Sequence, residues 1–278
     1  MVSHIDIDHI NKKLTKELET ITNSDKEIVG FISRDRSVYT VGSDSKIIGR
    51  LFEILSQPIL EKVAKELGME LHESPKQTIY PDFWMNYPGS PNKDRIAIDI
   101  KTTYRHSKKG KFKFTLGSYT SFLRNGTKNI AGDYSMYSCH LVIGFLYTRN
   151  PRYGTKVISL DQLEKIDSPV QNIKCFIAEK YKIAGEKPGS GNTANIGTFS
   201  TSNIEDFTNE CGPFSILGNK IFEKYWQNYP KPSERADGKA LYTDLSGFFN
   251  WLARTNSEEY SELKPKIEKL NNSKSKLQ

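Results

Sequence analysis

A ten-residue stretch in the first half of the chain, RIAIDIKTTY at 95–104, constrains the fold more than any other part of the sequence. Isoleucine occupies every second position of its first half, and this period of two predicts a β-strand with one buried face. Asp99 and Lys101 would leave together from the opposite face, about 6–7 Å apart along the strand. An acid and a base placed side by side on a core strand require an explanation.

The balance of charges is compatible with two classes of protein. The chain has 278 residues, with 40 Lys+Arg against 33 Asp+Glu, a net charge of +7 and a pI near 9.0. A moderate positive charge favours a polyanion such as nucleic acid as a partner, but a merely basic enzyme has the same composition. Charge alone leaves both readings open.

Cysteine usage and hydropathy argue against an exported or membrane protein. The three cysteines lie far apart in sequence and form no C-x-x-C pair, so zinc ligation and a disulfide framework are not expected. The N-terminal residues lack the apolar core of a signal peptide, and the longest apolar run, residues 141–147, is too short to span a bilayer. We therefore expect a cytoplasmic protein.

The first third of the chain alternates between helical and strand patterns. Helical periodicity predicts one helix over residues 4–22 and a second that begins after the cap-forming residues 43–45 and stops at Gly68, with a kink at Pro58. Between them, EIVGFIS and SVYTVGS flank a polar turn at 34–36 and predict a β-hairpin. The apolar residues that define the second helix are Ile47, Leu51, Leu55, Ile59, Val63 and Leu67.

The middle of the chain is rich in strand patterns. Pairing of the first two patterned runs brings Asp82 near Asp99. We expect the runs to form a mixed central β-sheet flanked by helices, so the predicted fold class is α/β. The predicted strand-rich runs cover residues 77–87, 95–104, 111–119, 139–149, 156–160 and 172–185.

The last third begins with a segment of unusual composition. Residues 185–197 contain four glycines and a proline, and we expect an extended loop there. Helical spacing returns at 207–229 and 241–252. The Lys-, Asn- and Ser-rich end, residues 264–278, is expected to be a frayed helix or a disordered tail.

The acids and the lysine of the central run have the chemistry of a metal-assisted hydrolase. A cation such as Mg²⁺ prefers carboxylate oxygens, and two close carboxylates such as Asp82 and Asp99 are stabilised by a cation between them. Lys101 would hold a phosphate oxygen and stabilise developing charge. The pattern Pro-Asp, then Asp-x-Lys, is found in many nucleases. It also occurs on solvated sheet faces, so taken alone it leaves both interpretations open.

The glycine-rich segment GSGNT at 189–193 has two interpretations of its own. The lysine of a phosphate-binding P-loop is missing, which argues against nucleotide binding. Glycines allow a backbone to approach another surface closely, and asparagine and threonine can contact adenine and the thymine methyl group in the DNA major groove. The alternative is a surface loop without a role. The five histidines have no metal-binding spacing and offer no competing site.

Several stretches, occurring together and in order, resemble the EcoRV-type type II restriction endonucleases of the PD-(D/E)xK nuclease superfamily. The resemblance extends from about Ile28 to Arg254. It implies a restriction-endonuclease-like fold and a Mg²⁺-dependent homodimer. It also implies cleavage of double-stranded DNA at the centre of GATATC, with blunt ends and a 5′-phosphate, and a cognate DNA methyltransferase that forms no complex with the nuclease. The stretches are FEIL (52–55), YPDF (80–83), IAIDIKTTY (96–104), KFTLGSYTSFLRNGTKNI (113–130), AGEKPGSGNTANIG (184–197) and YWQNY (225–229).

The same resemblance implies roles for individual residues. Asp82 and Asp99 would be metal ligands, Lys101 the catalytic lysine, and Glu53 an auxiliary catalytic acid and further metal ligand. The major-groove loop would be formed by Gly189, Ser190, Gly191, Asn192 and Thr193. The remaining DNA contacts would come from Gln77 in the minor groove, Thr103 and Ser121 beside the active site, and Lys128 at the DNA backbone.

The resemblance also implies a division of the chain. Residues 1–254 would form one endonuclease domain, and residues 255–278 a basic C-terminal extension without a family counterpart. Within the domain we expect a dimerisation hairpin at about 26–42 with the strand near 156–160, a catalytic sheet at about 77–149 and the recognition loop at 185–197.

The sequence departs from the family pattern outside the catalytic motif. The loop before Asp82 is one residue shorter, so the assignment of Gln77 depends on the alignment. Gly126 replaces an asparagine, and Ala194 replaces a threonine after the recognition contacts. Two alternative functions stay open: a catalytically silent, sequence-specific DNA-binding protein, and a nuclease of relaxed specificity.

Overall fold

A computed structural model describes residues 5–22, 27–42, 44–90, 94–105, 107, 109–150, 154–189 and 193–275. Its strands are β1 (Gly30–Ile32), β2 (Ser37–Thr40), β3 (Glu70–Glu73), β4 (Phe83–Asn86), β5 (Arg95–Tyr104), β6 (Thr115–Ser118), β7 (Tyr137–Arg149), β8 (Val157–Ser159), β9 (Val170–Glu179), β10 (Ala184–Pro188) and β11 (Asn195–Thr198). Its α-helices are α1 (Ile7–Thr22), α2 (Ser45–Glu66), α3 (Lys180–Ile183), α4 (Glu205–Thr208), α5 (Pro213–Leu217), α6 (Asn219–Asn228), α7 (Pro232–Ala236), α8 (Leu245–Thr255) and α9 (Ser257–Ser275).

A mixed central sheet organises the part of the chain that the structure describes. Its order is β3-β4-β5-β7-β9, with β5 and β7 parallel and the other neighbours antiparallel. This arrangement confirms the predicted α/β class with a mixed sheet. The edge strand β3 has no counterpart among the predicted strands. Its charged residues, Glu70 and Glu73, are typical of an edge that is kept from pairing with another chain.

The strand β5 separates two hydrophobic cores. Its isoleucines pack with α1 and α2 on one face, and Ala97 packs on the other face against an aromatic cluster that includes Tyr225 and Trp226. The strand is therefore buried on both faces, and the expectation of a half-buried strand is wrong in this respect. Asp99 is only 3% exposed. Its carboxylate consequently lies inside the protein and not on a solvated sheet face.

The helix α2 begins with a well-formed cap and runs through its internal proline. The Asp44 carboxylate accepts hydrogen bonds from the backbone N–H groups of Lys46 and Ile47. Ile47, predicted to be buried, is exposed, because positions spaced four apart drift about 40° per step around a helix of 3.6 residues per turn. The residues of α2 that are buried are Ile48, Leu51, Phe52, Ser56, Leu60, Val63 and Ala64.

Two elements of the central region differ from the prediction. The strand β6 does not extend the central sheet but joins β10 and β11 in a separate sheet of order β10-β11-β6. Residues 185–197, expected to be an extended loop, are mostly this β10–β11 hairpin. Glycine makes the pairing possible, since a Cβ on Gly197 would lie 2.8 Å from backbone atoms of Gly189.

A third sheet, of order β1-β2-β8, presents apolar side chains to solvent. The predicted hairpin is confirmed as β1 and β2, and the predicted strand near 156–160 is confirmed as β8, although it joins this small sheet. The exposed fractions are 52% for Phe31, 62% for Ile32 and 60% for Val157. Phe31, Tyr39 and Val157 are aligned across the three strands and share one side of the sheet, which we call the apolar sheet face.

The end of the described chain is helical and packed. In α9, Leu263 and Leu270 are buried against the aromatic core, and the Lys266 ammonium donates to the backbone oxygen of Leu217 (3.2 Å). The expected frayed helix or disordered tail is therefore wrong for residues 264–273, which belong to this packed helix. No described helix has the length and the apolar character needed to cross a membrane.

Candidate active site

The pairing of β4 and β5 brings the two predicted aspartates together. Phe83 pairs with Ile98, so the antiparallel register places the next residues, Asp82 and Asp99, opposite each other. The Asp82 Oδ2 atom accepts a hydrogen bond from the backbone N–H of Ile100 (2.7 Å). This bond anchors the carboxylate to the neighbouring strand.

Lys101 completes the cluster. Its Nζ atom lies 2.8 Å from Asp99 Oδ1 and 3.8 Å from Asp82 Oδ2, and it donates to the Ile100 carbonyl (3.3 Å). The side chains of Lys101 and Asp82 are 24% and 21% exposed, whereas that of Asp99 is 4% exposed. The three predicted side chains thus form one group, here called the acid–lysine cluster, which is open to solvent on the side of Asp82 and Lys101.

The electrostatics of the cluster reflect its burial. Burial and the nearby Asp99 charge raise the pKa of Asp82, although Lys101 and the Ile100 N–H act in the opposite direction. Burial by itself would lower the pKa of Lys101, but the attraction of Asp99 and Asp82 outweighs it and holds the pKa above its usual value. Lys101 is therefore cationic at any physiological pH, and the acid–lysine cluster itself has one ammonium group for two carboxyl groups.

The donor set fits a hard divalent cation. Asp99 Oδ2 is buried and has no hydrogen-bond partner among the described residues, so it has a free lone pair. Within the described ranges, no three His, Cys, Asp or Glu residues are grouped so that they could hold a metal. Two carboxylates, with water and substrate phosphate as the remaining ligands, match the way Mg²⁺ is commonly bound.

Glu53 lies near the cluster but is engaged elsewhere. Its Oε2 atom is 2.6 Å from the Arg50 guanidinium, which also reaches Glu73 at 3.4 Å. Glu53 lines the same cleft as Asp82, but the structure does not bring it into a shared metal-binding group with the aspartates. Arg50 holds the Glu53 carboxylate on the wall of the cleft.

A cleft of about 470 Å³ opens in front of the cluster. Gln77 and Thr103 line it, and so does Lys113, which donates to the Pro188 carbonyl (3.3 Å) of the β10–β11 hairpin. Basic residues on its wall suit the binding of a polyanion. Those basic residues are Lys46, Arg50, Lys76, Lys101 and Lys113.

A smaller cavity of about 180 Å³ lies on another side of the cluster and contacts both aspartates. Ser121, which is buried, lines it and donates from Oγ to the Lys128 carbonyl (2.8 Å). Lys128 itself is exposed. The structure therefore links the predicted contact residues Ser121 and Lys128 directly.

The predicted recognition loop lies at the tip of the β10–β11 hairpin. Gly189 is buried, and a Cβ there would lie 2.7 Å from Thr115 Oγ1, whereas Thr193 is exposed. The central residues of the predicted loop, Ser190, Gly191 and Asn192, lie outside the described residues. The hairpin and the cleft share a wall, since β6 contributes Thr115 to the cleft and pairs with β11.

Sequence reasoning missed Lys180, which lies on the same side of the sheet as the cluster. The residue is 4% exposed, and its Nζ atom lies 4.1 Å from the centroid of the Tyr80 ring. The sequence contained a signal, because Phe176, Ala178 and Lys180 occupy every second position of the predicted strand. The first two are buried apolar residues, so Lys180 falls on the same side of the pattern. A lysine in the buried phase of a strand indicates a special role.

Comparisons with known proteins agree with this chemistry. The sequence model of a family described as "Restriction endonuclease EcoRV" matches residues 22–253. The Type II restriction enzyme EcoRV of Escherichia coli is 40% identical over 234 residues, which are 84% of this chain and 93% of that enzyme. Among solved structures, NlaIV restriction endonuclease has a TM-score of 0.40 and 13% identity, covering 86% of this chain and 92% of its own.

Proposed function

Because this chain belongs to the restriction endonuclease EcoRV family and is a type II site-specific deoxyribonuclease, we propose that it cleaves double-stranded DNA centrally at GATATC. The ends would be blunt, and the cofactor would be Mg²⁺. One observation supports the catalytic assignment above all. The acid–lysine cluster has a free carboxylate oxygen and opens into a basic cleft.

The proposed mechanism assigns one task to each member of the cluster. Asp82 and Asp99 hold the cation, which when bound supplies Lewis-acid activation of water and of the scissile phosphate. Lys101 is charged and partly exposed at the cleft, so it can hold a phosphate oxygen and stabilise the charge that develops during in-line attack. Cleavage then leaves a 5′-phosphate and a 3′-hydroxyl.

We propose that recognition uses the hairpin tip and the cleft wall together. Gly189 to Thr193 would read the major groove, where Asn192 can bond adenine and Thr193 can contact the thymine methyl group. Gln77 would reach the minor groove. Thr103, Ser121 and Lys128 would contact the DNA near the scissile phosphate, supported by the position of the first two on cavities beside the cluster.

A homodimer is proposed because a palindromic target and two strand cuts call for two-fold symmetry. The apolar sheet face supports this proposal, since its side chains Phe31 and Val157 are more than half exposed in one chain. Sedimentation at micromolar concentration should give the dimer mass, and Phe31→Asp should shift the protein toward monomer. We further propose a cytoplasmic location, with host DNA protected by a separate methyltransferase.

Digestion of a mapped DNA in the presence of Mg²⁺, followed by sequencing of the termini, tests the function. We expect discrete fragments with blunt ends at GATATC. Other fragment ends would refute the proposed site, a smear would support relaxed specificity, and intact DNA that is nonetheless bound would support a silent binding protein. Lys101→Ala should keep DNA binding and lose cleavage, and undiminished cleavage by this variant would contradict the proposed role of Lys101.

A further inference from the structure

A buried lysine behind the acid–lysine cluster has no role in the mechanism above. Lys180 begins α3 directly after β9, and it is 4% exposed. Its ammonium has no hydrogen-bond partner among the described residues. Removing a cation from water without such a partner is costly, so its presence in the interior requires a compensating interaction.

The aromatic residues around Lys180 also border the cluster. The Lys180 Nζ atom lies 4.1 Å from the ring centroid of Tyr80 and 4.9 Å from that of Phe122. Both rings line the smaller cavity, which also contacts Asp99 and Lys101. Aromatic faces attract a desolvated cation, and here they hold the ammonium at the back of the cluster.

The register of the central sheet explains how Lys180 reaches this position. Val142 pairs with Asp99 on one side and with Ala178 on the other, so these three residues share one face of the sheet. Lys180 follows Ala178 by two residues and lies on the same side. Continuing the register of β7 and β9 by one residue from the Leu141–Glu179 pair places His140 next to Lys180, and the His140 Nδ1 atom is hydrogen-bonded to the Tyr80 hydroxyl group (2.8 Å).

The charges near Lys180 identify Asp99 as its main electrostatic partner. Burial lowers the pKa of Lys180 to about 8, and among the neighbouring charges Asp99 opposes this shift most strongly. Asp99 Oδ2 likewise lacks a hydrogen-bond partner among the described residues. The Asp99 Oδ2 atom and the Lys180 ammonium therefore both lack a hydrogen-bond partner among the described residues, and the rings of Tyr80 and Phe122, which contact Lys180, line the cavity that Asp99 also lines. A lysine that served only to fill space would not require this complementarity.

We propose that Lys180 is a positioning residue of the active site, whose buried ammonium supplies a fixed positive charge behind Asp99 and offsets part of the carboxylate charge before a metal binds. This inference rests on the proposed function, because it assumes that Asp82 and Asp99 hold the cation. With Lys101, the metal-free cluster then contains two ammonium groups for two carboxylates. A divalent cation must compete with Lys180 for the charge of Asp99, so Lys180 weakens metal binding in the absence of DNA.

The test measures metal binding to the full-length, DNA-free protein at about pH 7, where Lys180 is charged. Lys180→Met keeps the length and the apolar stem of the side chain but removes the charge. Calorimetric titration with Mg²⁺ alone, and with Ca²⁺ alone, should show about tenfold tighter binding to this variant, because a repelling charge near the cation is gone. The rise in Tm on adding metal should also be larger than in the unmodified protein.

Two further variants separate a charge effect from a structural one. Lys180→Arg retains the charge and should bring the metal affinity back toward that of the unmodified protein. Lys182→Met removes a lysine from the same short helix, where it pairs with Glu179 and Glu210 at 2.8 and 2.7 Å, and should leave metal affinity unchanged. If Lys180→Met is too unstable to titrate, Lys180→Gln replaces it, and the same tightening is expected.

The outcomes distinguish this inference from the proposed function. If the neutral variants bind metal as the unmodified protein does, or more weakly, Lys180 has no positioning role and the inference is overturned. If the unmodified protein binds no metal and cleaves no DNA, the proposed function itself fails. Tightening in the neutral variants, with recovery in Lys180→Arg and no change in Lys182→Met, supports the inference.

Discussion

The acid–lysine cluster and the recognition hairpin are held in different ways. The cluster lies on adjacent strands of the central sheet, with hydrophobic core on both faces of β5 and a backbone hydrogen bond that fixes Asp82. The described arms of the hairpin belong to a small three-stranded sheet and are held by close glycine contacts and by the bond from Lys113 to Pro188. The proposed catalytic geometry is therefore fixed by core packing, whereas the hairpin next to the proposed recognition residues is fixed by backbone contacts at glycines.

This difference predicts that cluster variants lose chemistry and that hairpin variants lose recognition. Binding of the cognate site can be measured with Ca²⁺ as the probe metal, and cleavage can be measured separately with Mg²⁺. Comparing the two measurements across variants tests whether the two regions act independently.

The largest effect is expected for Asp99→Asn. The amide is nearly isosteric but cannot supply the anionic oxygen, so Mg²⁺-dependent cleavage should fall by about a thousandfold or more, a loss of the size seen when essential charge stabilisation is removed. DNA binding measured without a metal should change little. Retention of more than about a tenth of the cleavage rate would show that Asp99 is not a metal ligand.

A smaller but substantial effect is expected for Gly197→Ala. The added Cβ would meet the Gly189 backbone at 2.8 Å, so the hairpin must shift and the tip must change shape. Site-specific binding should weaken about a hundredfold if contacts to two base pairs are lost. Metal affinity of the DNA-free protein should be unaffected. An equal loss in metal affinity would mean that hairpin and cluster are mechanically coupled.

The third effect concerns the pH dependence of metal binding. Burial raises the pKa of Asp82 to about 7, so below that pH its carboxyl group carries a proton that the metal must displace. Affinity for Mg²⁺ should therefore fall by up to about tenfold per pH unit as the pH drops below 7. Because the pKa of Asp82 is raised in the folded protein, ionisation of its carboxyl group disfavours folding. Without metal, the stability that the protonated carboxyl group contributes is therefore lost as the pH rises through 7.

Asp82→Asn is the matched variant for this titration. It lacks the ionisable group, so its residual metal affinity should depend less on pH near 7. If the unmodified protein and the variant have parallel pH profiles, another group controls the dependence.

The smallest effect is expected for Thr193→Ala at the hairpin tip. Loss of one methyl contact should reduce discrimination at a single base pair by about tenfold or less. Cleavage of the cognate site at saturating enzyme should stay near its original rate. Thr193→Val retains the methyl group and should preserve discrimination at that base pair. If this variant loses discrimination, Thr193 makes its contact through the hydroxyl group and not through the methyl group.

Much of the site could be predicted from local patterns. Alternation in 95–104 identified β5, and pairing with the preceding run placed Asp82 beside Asp99, as the register confirms. The cap-forming residues 43–45 and Gly68 marked the ends of α2, and the structure shows Asp44 as the N-cap and the helix ending at Glu66. These features depend on residues close in sequence, so a single chain without coordinates contains the necessary information.

Other features depended on contacts between distant residues. The strand β6 and the 185–197 segment have sequences that suit several partners, and only their mutual pairing decided that they form a separate sheet. The end of the chain has a polar sequence that predicted a tail. In the structure, Leu263 and Leu270 pack against an aromatic surface and hold α9 in place. Composition does not reveal such a surface.

The sequence alone indicated which side chains lie together in the candidate active site, because the period of two on β5 puts Asp99 and Lys101 on one face whatever lies around them. Tertiary structure decided how those groups behave. Burial of Asp99 beneath a second core and the position of Lys180 beside the Tyr80 ring both arise from elements far apart in the chain. Charge and hydrogen bonding depend on the local dielectric and on neighbours in space, which no sequence spacing specifies.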